Sequence, residues 1–253
     1  MDLILSTSRG KGIGPLVRKT HKNANIIVRP GHKYSSLAQE GRRIITTTRY
    51  DPSDIHVYFL AGFPDLTTVE RKGNYQEVTF WETPQTASQR VLGEIENAAD
   101  MIKNTEAQVC FATIIPGNID SWDTIRLTPK KTNTLKFRNH YHSWQENLNE
   151  TVIKCNQSIV EINIQNNMQT PRTHQTVVSI RKKGKYRFQF NKLAKDGVHA
   201  TPRTNELVSR ELSKAITKNR KCNDPDTVKQ EKLEDATDTE SEPGSPKRAW
   251  KSY

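Results

Sequence analysis

Short apolar runs alternate with longer amphipathic segments along most of the chain, and this alternation leaves few architectures open. A run of about four to eight apolar residues between turn residues is typical of a buried strand, whereas apolar residues three and four apart are typical of a helix. Strands that alternate with helices favour a mainly parallel sheet that buries both of its faces. We therefore predict an α/β fold of three layers, in which helices flank a mainly parallel sheet.

The bounds of these elements follow from the apolar periodicity and from the glycine, proline and small polar residues between the runs. The predicted strands are Leu3–Leu5, Asn25–Val28, Ile55–Ala61, Ala107–Ile115 and Val177–Ile180. The predicted helices are Leu16–Thr20, a segment from a cap at Ser35 or Ser36 to Thr46, Thr86–Asn104, a long helix within Phe137–Gln165, and Arg203–Asn219. A hairpin insertion is expected near residues 67–82, where Gly73-Asn74 would form the turn.

Charge and polarity are unevenly distributed, and the difference divides the chain. From Asn219 to Tyr253, seven Lys and Arg stand against eight Asp and Glu, a net charge of −1; the whole chain carries +11, which leaves +12 on residues 1–218. The terminal segment has almost no apolar residues, which is typical of disorder. We predict an α/β domain over residues 1–218 and a disordered charged tail over residues 219–253.

The cysteines and the apolar runs indicate the cellular compartment in which such a chain is expected. The three cysteines are odd in number and lack metal-ligand spacing, so a disulfide framework is not expected and a reducing, intracellular compartment fits better. Met1–Leu5 is too short for the core of a signal peptide, and no apolar run approaches the ~18 residues of a membrane span. The sequence does not choose between cytoplasm and nucleus, and it leaves the oligomeric state open.

Neither a metal nor an organic cofactor is predicted. His140 and His142 are two residues apart and so do not share a helix face, which makes a zinc site unfavourable. Arg9–Gly14 superficially resembles a dinucleotide-binding fingerprint after a strand. The second strand, however, runs into Arg29 where that fingerprint requires an acidic residue for the ribose, so we do not expect NAD.

Polar residues with catalytic potential stand at the ends of the predicted strands and before the last helix. Ser8 follows the first strand, Gly62–Asp65 follows the third, and Asp196–His199 precedes the final helix. In parallel α/β sheets, functional residues collect at the carboxyl ends of the strands. A serine becomes a nucleophile when an imidazole takes its proton and a carboxylate orients that imidazole. An aspartate three residues before a histidine, across a glycine turn, can orient the ring locally, so we predict a triad of Ser8, His199 and Asp196.

Four segments in this order carry a resemblance to the SGNH (GDSL-like) hydrolases. Leu3–Ser8 resembles the first block of that family, in which a buried strand ends in Gly-Asp-Ser. Gly31 matches the glycine of the second block, and Gly62–Asp65 resembles the third, Gly-x-Asn-Asp. Asp196–Pro202, followed by an amphipathic helix, resembles the last block, Asp-x-x-His. The resemblance covers residues 1–218 and implies the SGNH/flavodoxin-like fold.

The resemblance also implies a function, that of a serine esterase or acyl hydrolase acting on a small ester or acylated substrate. Ser8 would be the nucleophile, His199 the base and Asp196 its partner, while the backbone N–H groups of Ser8 and Gly31 would bind the oxyanion. Pro64 stands where the family has the asparagine whose amide also binds the oxyanion. Loss of one such donor typically lowers turnover by about 10²–10³. Asn118 is a candidate for a substitute amide.

A second hypothesis gives the chain a different role. The overall character of the sequence, together with a basic stretch before Asp196, resembles that of the esterase-like domains of some animal retrotransposons and related mobile elements. A catalytically impaired module of that kind would bind RNA or single-stranded DNA, and the +12 charge of residues 1–218 and Pro64 favour this interpretation. The candidate nucleic-acid-binding residues are Arg181, Lys182, Lys183, Lys185, Tyr186 and Arg187. A solvated basic hairpin is the plain alternative.

Overall fold

The N-terminal apolar run forms a central strand of a sheet in the computed structural model, which describes residues 1–72, 75–80, 82–119, 121–122, 136–181 and 185–222. The strands are β1 (Asp2–Ser6), β2 (Asn25–Val28), β3 (His56–Leu60), β4 (Thr68–Lys72), β5 (Tyr75–Thr79), β6 (Gln108–Phe111), β7 (Val178–Ile180) and β8 (Tyr186–Phe188). The helices are α1 (Gly14–Thr20), α2 (Tyr34–Thr47), α3 (Phe63–Leu66), α4 (Pro84–Lys103), α5 (Lys136–Gln165) and α6 (Pro202–Cys222).

Four strands form a parallel sheet in the order β2-β1-β3-β6. Ile4 of β1 lies opposite Ile26 of β2 and Tyr58 of β3, and Tyr58 in turn lies opposite Cys110 of β6. Because all four strands run in one direction, their carboxyl ends meet at one edge. The turns that follow β1, β2, β3 and β6 therefore start at the same edge of the sheet.

Alternation along the strands divides the core between two helical layers. Leu3 and Phe59 belong to one buried cluster, which also contains apolar residues of α2, α4 and α5. Ile4 and Tyr58 belong to the other, which contains residues of α1 and α6. Successive strand residues point to opposite faces, so this division follows directly from the period of two. The predicted three-layer α/β fold is confirmed.

Two elements differ from the sequence-based expectation. The second helix begins at Tyr34 and is not capped by Ser35 or Ser36, because the carboxylate of Asp65 accepts a hydrogen bond from the Tyr34 N–H at 3.0 Å. The run Val177–Ile180 yields β7, which pairs antiparallel with β8 instead of joining the parallel sheet. The first difference depends on a carboxylate 31 positions away, which no local pattern indicates, whereas the partner of β7 is the next strand along the chain.

The expected insertion corresponds to β4 and β5, which form an antiparallel pair with Thr68 opposite Thr79. Its proposed turn, Gly73-Asn74, lies outside the described residues, as do residues 223–253 of the predicted tail. Residues Met1–Ile216 form one compact unit. Among the helices that the structure describes, none is long and apolar enough to cross a membrane.

Candidate active site

Ser8 is held in a tight turn directly after β1. The turn begins at Thr7 and continues as one 3₁₀ turn over Ser8–Gly10. The buried Ser6 hydroxyl donates to the Leu60 carbonyl at 2.9 Å and so joins the ends of β1 and β3. A Cβ at Gly10 would lie 2.5 Å from Ser6 Oγ, so only glycine allows the turn to fold back on the strand end. Ser6-Thr7-Ser8, which stands where the resembled family has Gly-Asp-Ser, thus leads into a closely packed turn in which Ser8 is half-buried.

Asp196 and His199 occupy one turn, organised by the aspartate. One oxygen of the Asp196 carboxylate accepts the backbone N–H groups of Val198 and His199, each at 3.0 Å. The other oxygen lies 2.5 Å from His199 Nδ1. Gly197 has φ +67°, a left-handed conformation that other residues rarely adopt, and a Cβ there would lie 2.6 Å from the Asn118 carbonyl oxygen. The turn therefore depends on glycine at this position.

His199 connects this turn to Ser8, which is 191 positions away in sequence. Its Nε2 lies 3.1 Å from Ser8 Oγ, within hydrogen-bond distance. With Nδ1 donating to the Asp196 carboxylate, Nε2 is the acceptor for the Ser8 hydroxyl. Side-chain exposures of 39% for His199 and 28% for Asp196 leave the group open to solvent on one side. The structure thus brings together all three predicted triad residues.

Electrostatics keep Asp196 ionised. Burial alone would raise the pKa of this carboxyl, but the hydrogen bonds from the His199 ring and from the two backbone N–H groups outweigh it, and the pKa is lowered. A carboxylate that accepts several hydrogen bonds is stabilised in its charged form. Asp196 can therefore fix the tautomer of His199 and stabilise an imidazolium.

The segment after β6 forms one side of the site. The Asn118 N–H donates to the Gly197 carbonyl at 2.7 Å, which ties this segment to the Asp196 turn. The Asn118 side-chain oxygen accepts the Ser121 N–H at 3.1 Å, so its contacts serve the loop. The Trp122 ring lies beside the His199 ring, with centroids 6.2 Å apart. Sequence reasoning did not single out Trp122, because no local pattern links it to a histidine so far along the chain.

Arg9 is a second site residue that sequence reasoning assigned no role. It follows Ser8 directly, yet only 8% of it is exposed. Its guanidinium lies over the Phe63 ring, 4.5 Å from the centroid, and donates to the Ile115 carbonyl and to the Pro116 carbonyl, the latter at 3.4 Å. Burial lowers the pKa of Arg9 to about 9, which still leaves it charged at neutral pH, and the nearby Asp196 limits the shift.

The two predicted oxyanion segments differ in their surroundings. Gly31 lies in the exposed turn after β2, with φ +72°. Pro64 lies in the first turn of α3, where it has no N–H to donate. The next residue, Asp65, is buried, and burial raises its pKa to about 7, although the Tyr34 N–H opposes the shift. Asp65 therefore serves the start of α2 and takes no part in the contacts of Ser8.

The described residues of the basic stretch lie at the end of β7 and in and beside β8. Arg181, Lys185 and Arg187 are exposed. Tyr186, 40% exposed, lies directly across from Ile180, which is 66% exposed. Directly opposed residues of paired strands point to the same face, so the Tyr186 ring and the Ile180 side chain share one surface. Arg187, the next residue of β8 and the partner of Ser179, points to the other face. Lys182 and Lys183 lie outside the described residues.

Solved structures of similar fold carry the names of lipolytic enzymes and esterases. A GDSL-like lipase from Bacteroides thetaiotaomicron aligns with a TM-score of 0.53 and 15% identity over 86% of this chain and 87% of that chain. A member of the lipolytic G-D-S-L family from Veillonella parvula gives 0.51 and 12%, over 85% and 97%. A carbohydrate esterase family 3 protein from Talaromyces cellulolyticus gives 0.52 and 12%, over 86% and 97%.

No family model matches the sequence, and a search of curated proteins also finds no match. At 12–15% identity, likeness to solved structures establishes the architecture alone. The chain has the fold of the SGNH (GDSL-like) hydrolases.

Proposed function

We propose that this chain is a serine esterase or acyl hydrolase of SGNH type that acts on a small ester or another acylated substrate. The observation that carries the proposal is the unbroken series of contacts from Ser8 Oγ to His199 Nε2, at 3.1 Å, and from His199 Nδ1 to Asp196, at 2.5 Å. Such a series is what proton removal from a serine requires. Its position at the carboxyl edge of a parallel sheet adds support.

In the proposed reaction, Ser8 Oγ attacks the carbonyl carbon of the ester while its proton passes to His199 Nε2. The carbonyl π electrons move to oxygen and form a tetrahedral oxyanion. Collapse of this intermediate breaks the bond to the alcohol oxygen, which leaves with the proton from His199. Water then attacks the acyl-enzyme with His199 again as base, which releases the acid and restores Ser8. Asp196 remains a carboxylate throughout and stabilises the imidazolium.

The oxyanion would be bound by the backbone N–H groups of Ser8 and Gly31. The turns that carry them follow β1 and β2, which are neighbours in the sheet, and this adjacency supports the pairing. Pro64 adds no donor, so the proposed site has two donors where the family has three. We expect turnover lower by about 10²–10³ than that of an enzyme with a complete set.

The test is hydrolysis of a short-chain p-nitrophenyl ester by the full chain. Ser8→Ala should reduce turnover to the uncatalysed background. Ser36→Ala is the matched control. Ser36 is exposed on α2, so this substitution removes a serine hydroxyl outside the site. If Ser8→Ala hydrolysed the ester as fast as the wild type does, the proposal would be rejected. It would also be rejected if the wild type hydrolysed none of a panel of acetyl, butyryl and longer acyl esters.

A second candidate function is a nucleic-acid-binding module of the mobile-element type. It is favoured by the exposed β7–β8 pair, in which Tyr186 and Ile180 share one face and the exposed cations Lys185 and Arg187 stand on either side of Tyr186 along the chain. Cations for phosphates beside an aromatic ring for a base are the usual combination for binding single strands. The two functions use different surfaces, so they are tested separately.

A further inference from the structure

Arg9 is a costly residue to bury, and packing alone does not account for it. A guanidinium removed from water requires replacement of its hydration by hydrogen bonds, and an apolar side chain of similar size often stabilises a core as well or better. Arg9 Nε is buried and has no hydrogen-bond partner among the described residues. The two carbonyl contacts and the Phe63 ring offset part of the cost. A function beyond filling space is therefore indicated.

The contacts of Arg9 join three of the segments that surround Ser8. Arg9 itself belongs to the turn after β1, Phe63 to α3 after β3, and Ile115 and Pro116 to the segment after β6. The layer is closely packed, since a Cβ at Gly117 would lie 2.4 Å from the Phe63 ring and 3.2 Å from Arg9 Nη2. The Arg9 side chain thus ties the turn that presents Ser8 to the segments that follow β3 and β6 at the same edge of the sheet.

The same connection reaches His199 through the backbone. Pro116 and Gly117 lead directly to Asn118, whose N–H donates to the Gly197 carbonyl at 2.7 Å. The segment that Arg9 binds is therefore also the segment that supports the Asp196 turn. A shift of the Ser8 turn relative to this segment would change the distance between Ser8 Oγ and His199 Nε2.

We propose that Arg9 is a positioning residue that holds Ser8 Oγ against His199 Nε2 by anchoring the Ser8 turn to the Ile115–Gly117 segment. The inference rests on the proposed hydrolase function. It gives this chain, in which Ser6-Thr7 replaces Gly-Asp, a different means of fixing the nucleophile. Arg9 does not touch substrate; it acts through Ser8.

Two substitutions separate positioning from packing. Arg9→Met fills similar volume but loses both carbonyl contacts, and Arg9→Lys keeps the charge and can reach one carbonyl. Displacement of a reacting group by about 1 Å costs about 10² in rate. We expect kcat to fall by about 10² in Arg9→Met and by about tenfold in Arg9→Lys, with KM within about twofold of wild type in both.

Arg90→Lys is the matched control for lost stability. Arg90 also donates to a backbone carbonyl, that of Asp65 at 2.7 Å, and it pairs with Glu82. The control should lower the melting temperature while kcat stays within about twofold. The positioning role would be overturned if Arg9→Lys and Arg90→Lys lost kcat equally at an equal loss of melting temperature. It would also be overturned if either Arg9 variant kept the kcat of the wild type.

A second readout does not depend on turnover. In crystal structures of the Arg9 variants, Ser8 Oγ and His199 Nε2 should lie beyond about 3.5 Å, outside hydrogen-bond reach. An unchanged distance in Arg9→Lys and Arg9→Met overturns the inference even if both are less active, and if Arg9→Met does not fold, Arg9→Lys decides. A wild type that hydrolyses no ester would reject the proposed function, while these distances would still decide the role of Arg9.

Discussion

At Asp196, one carboxylate serves three donors, and this is the residue on which the geometry of the site depends most. It receives the backbone N–H groups that shape the turn and the ring N–H of His199. One carboxylate oxygen accepts the two backbone N–H groups and stabilises the turn, and the other accepts the ring N–H and orients His199. The two roles can therefore be separated by a substitution that spares one of them.

Asp196→Asn is that substitution. The asparagine oxygen can still accept the backbone N–H groups of Val198 and His199, but its NH₂ group would face His199 Nδ1 and favour the wrong tautomer. We expect kcat to fall by about 10⁴ with little change in melting temperature. Steady-state kinetics with thermal melts make the measurement, and a kcat within tenfold of wild type would argue against the triad.

Gly197→Ala tests the backbone of the same turn. The new Cβ would meet the Asn118 carbonyl at 2.6 Å in a left-handed conformation. We expect a loss of at least about 1 kcal/mol in the free energy of unfolding, together with lower activity. Gly93→Ala is the control, because Gly93 lies in α4 with no atom within 4 Å of its Cβ position, and alanine there should stabilise by up to about 1 kcal/mol. Urea denaturation distinguishes them; equal effects would contradict the assigned strain.

At the scale of elements, the start of α2 is held by a carboxylate from another segment. Asp65 caps Tyr34 from α3, and burial raises its pKa to about 7 from an ordinary value of 3.8. The folded protein therefore binds this proton more tightly than the unfolded chain. The resulting stability is fully present below about pH 4 and is lost as the pH rises through about 7.

Asp65→Asn should remove this pH dependence, because the amide oxygen still accepts the Tyr34 N–H and the group no longer titrates. Between pH 5 and pH 8, we expect the wild-type free energy of unfolding to fall relative to that of the variant. Urea titrations across this range make the comparison. Parallel curves for the two proteins would mean that Asp65 is not protonated in the folded state at neutral pH.

The β7–β8 hairpin is the element on which the proposed nucleic-acid binding would depend. If it binds single strands, replacing Lys182, Lys183 and Lys185 by Ala should flatten the slope of log K against log salt by about two, since each phosphate contact contributes roughly 0.7. Tyr186→Ala should weaken binding without changing the slope, because stacking releases no ions. The measurement is fluorescence anisotropy with labelled single-stranded RNA and DNA.

A matched control for this experiment removes the same charge elsewhere. Lys19, Lys22 and Lys103 are exposed on or beside α1 and α4, and their triple replacement by Ala changes the net charge equally. The slope should then change less than in the hairpin variant. Equal changes in the two triple variants would reduce the effect to net charge and remove the case for a hairpin site.

For the whole molecule, the sequence predicts the architecture better than the ends of its elements. Apolar runs locate the four strands of the parallel sheet because each strand is buried on both faces. The run Ala107–Ile115 nevertheless leaves the sheet after Phe111, since the Thr113 N–H donates to the Pro171 carbonyl and the Ile114 N–H to the Asn156 side chain. Partners so distant in sequence leave no local signal.

The residues of the candidate site also differ in how well the sequence predicts them. The positions of Ser8, Asp196 and His199 could be predicted, because a glycine turn and the ends of apolar runs mark them in the sequence. Arg9 and Trp122 could not, because their surroundings are formed by segments after β3, after β6 and before α6. A charged residue in a glycine-rich segment predicts exposure, and only tertiary packing buries Arg9.

Covalent labelling shows whether His199 activates Ser8. A fluorophosphonate probe reacts with activated serines, so incubation of the folded chain followed by peptide mass spectrometry should place one adduct on Ser8. His199→Ala should abolish the adduct, whereas His142→Ala, which removes an exposed imidazole from α5, should retain it. Absence of an adduct in the wild type, or equal labelling of Ser8 after loss of His199, would mean that His199 does not activate Ser8.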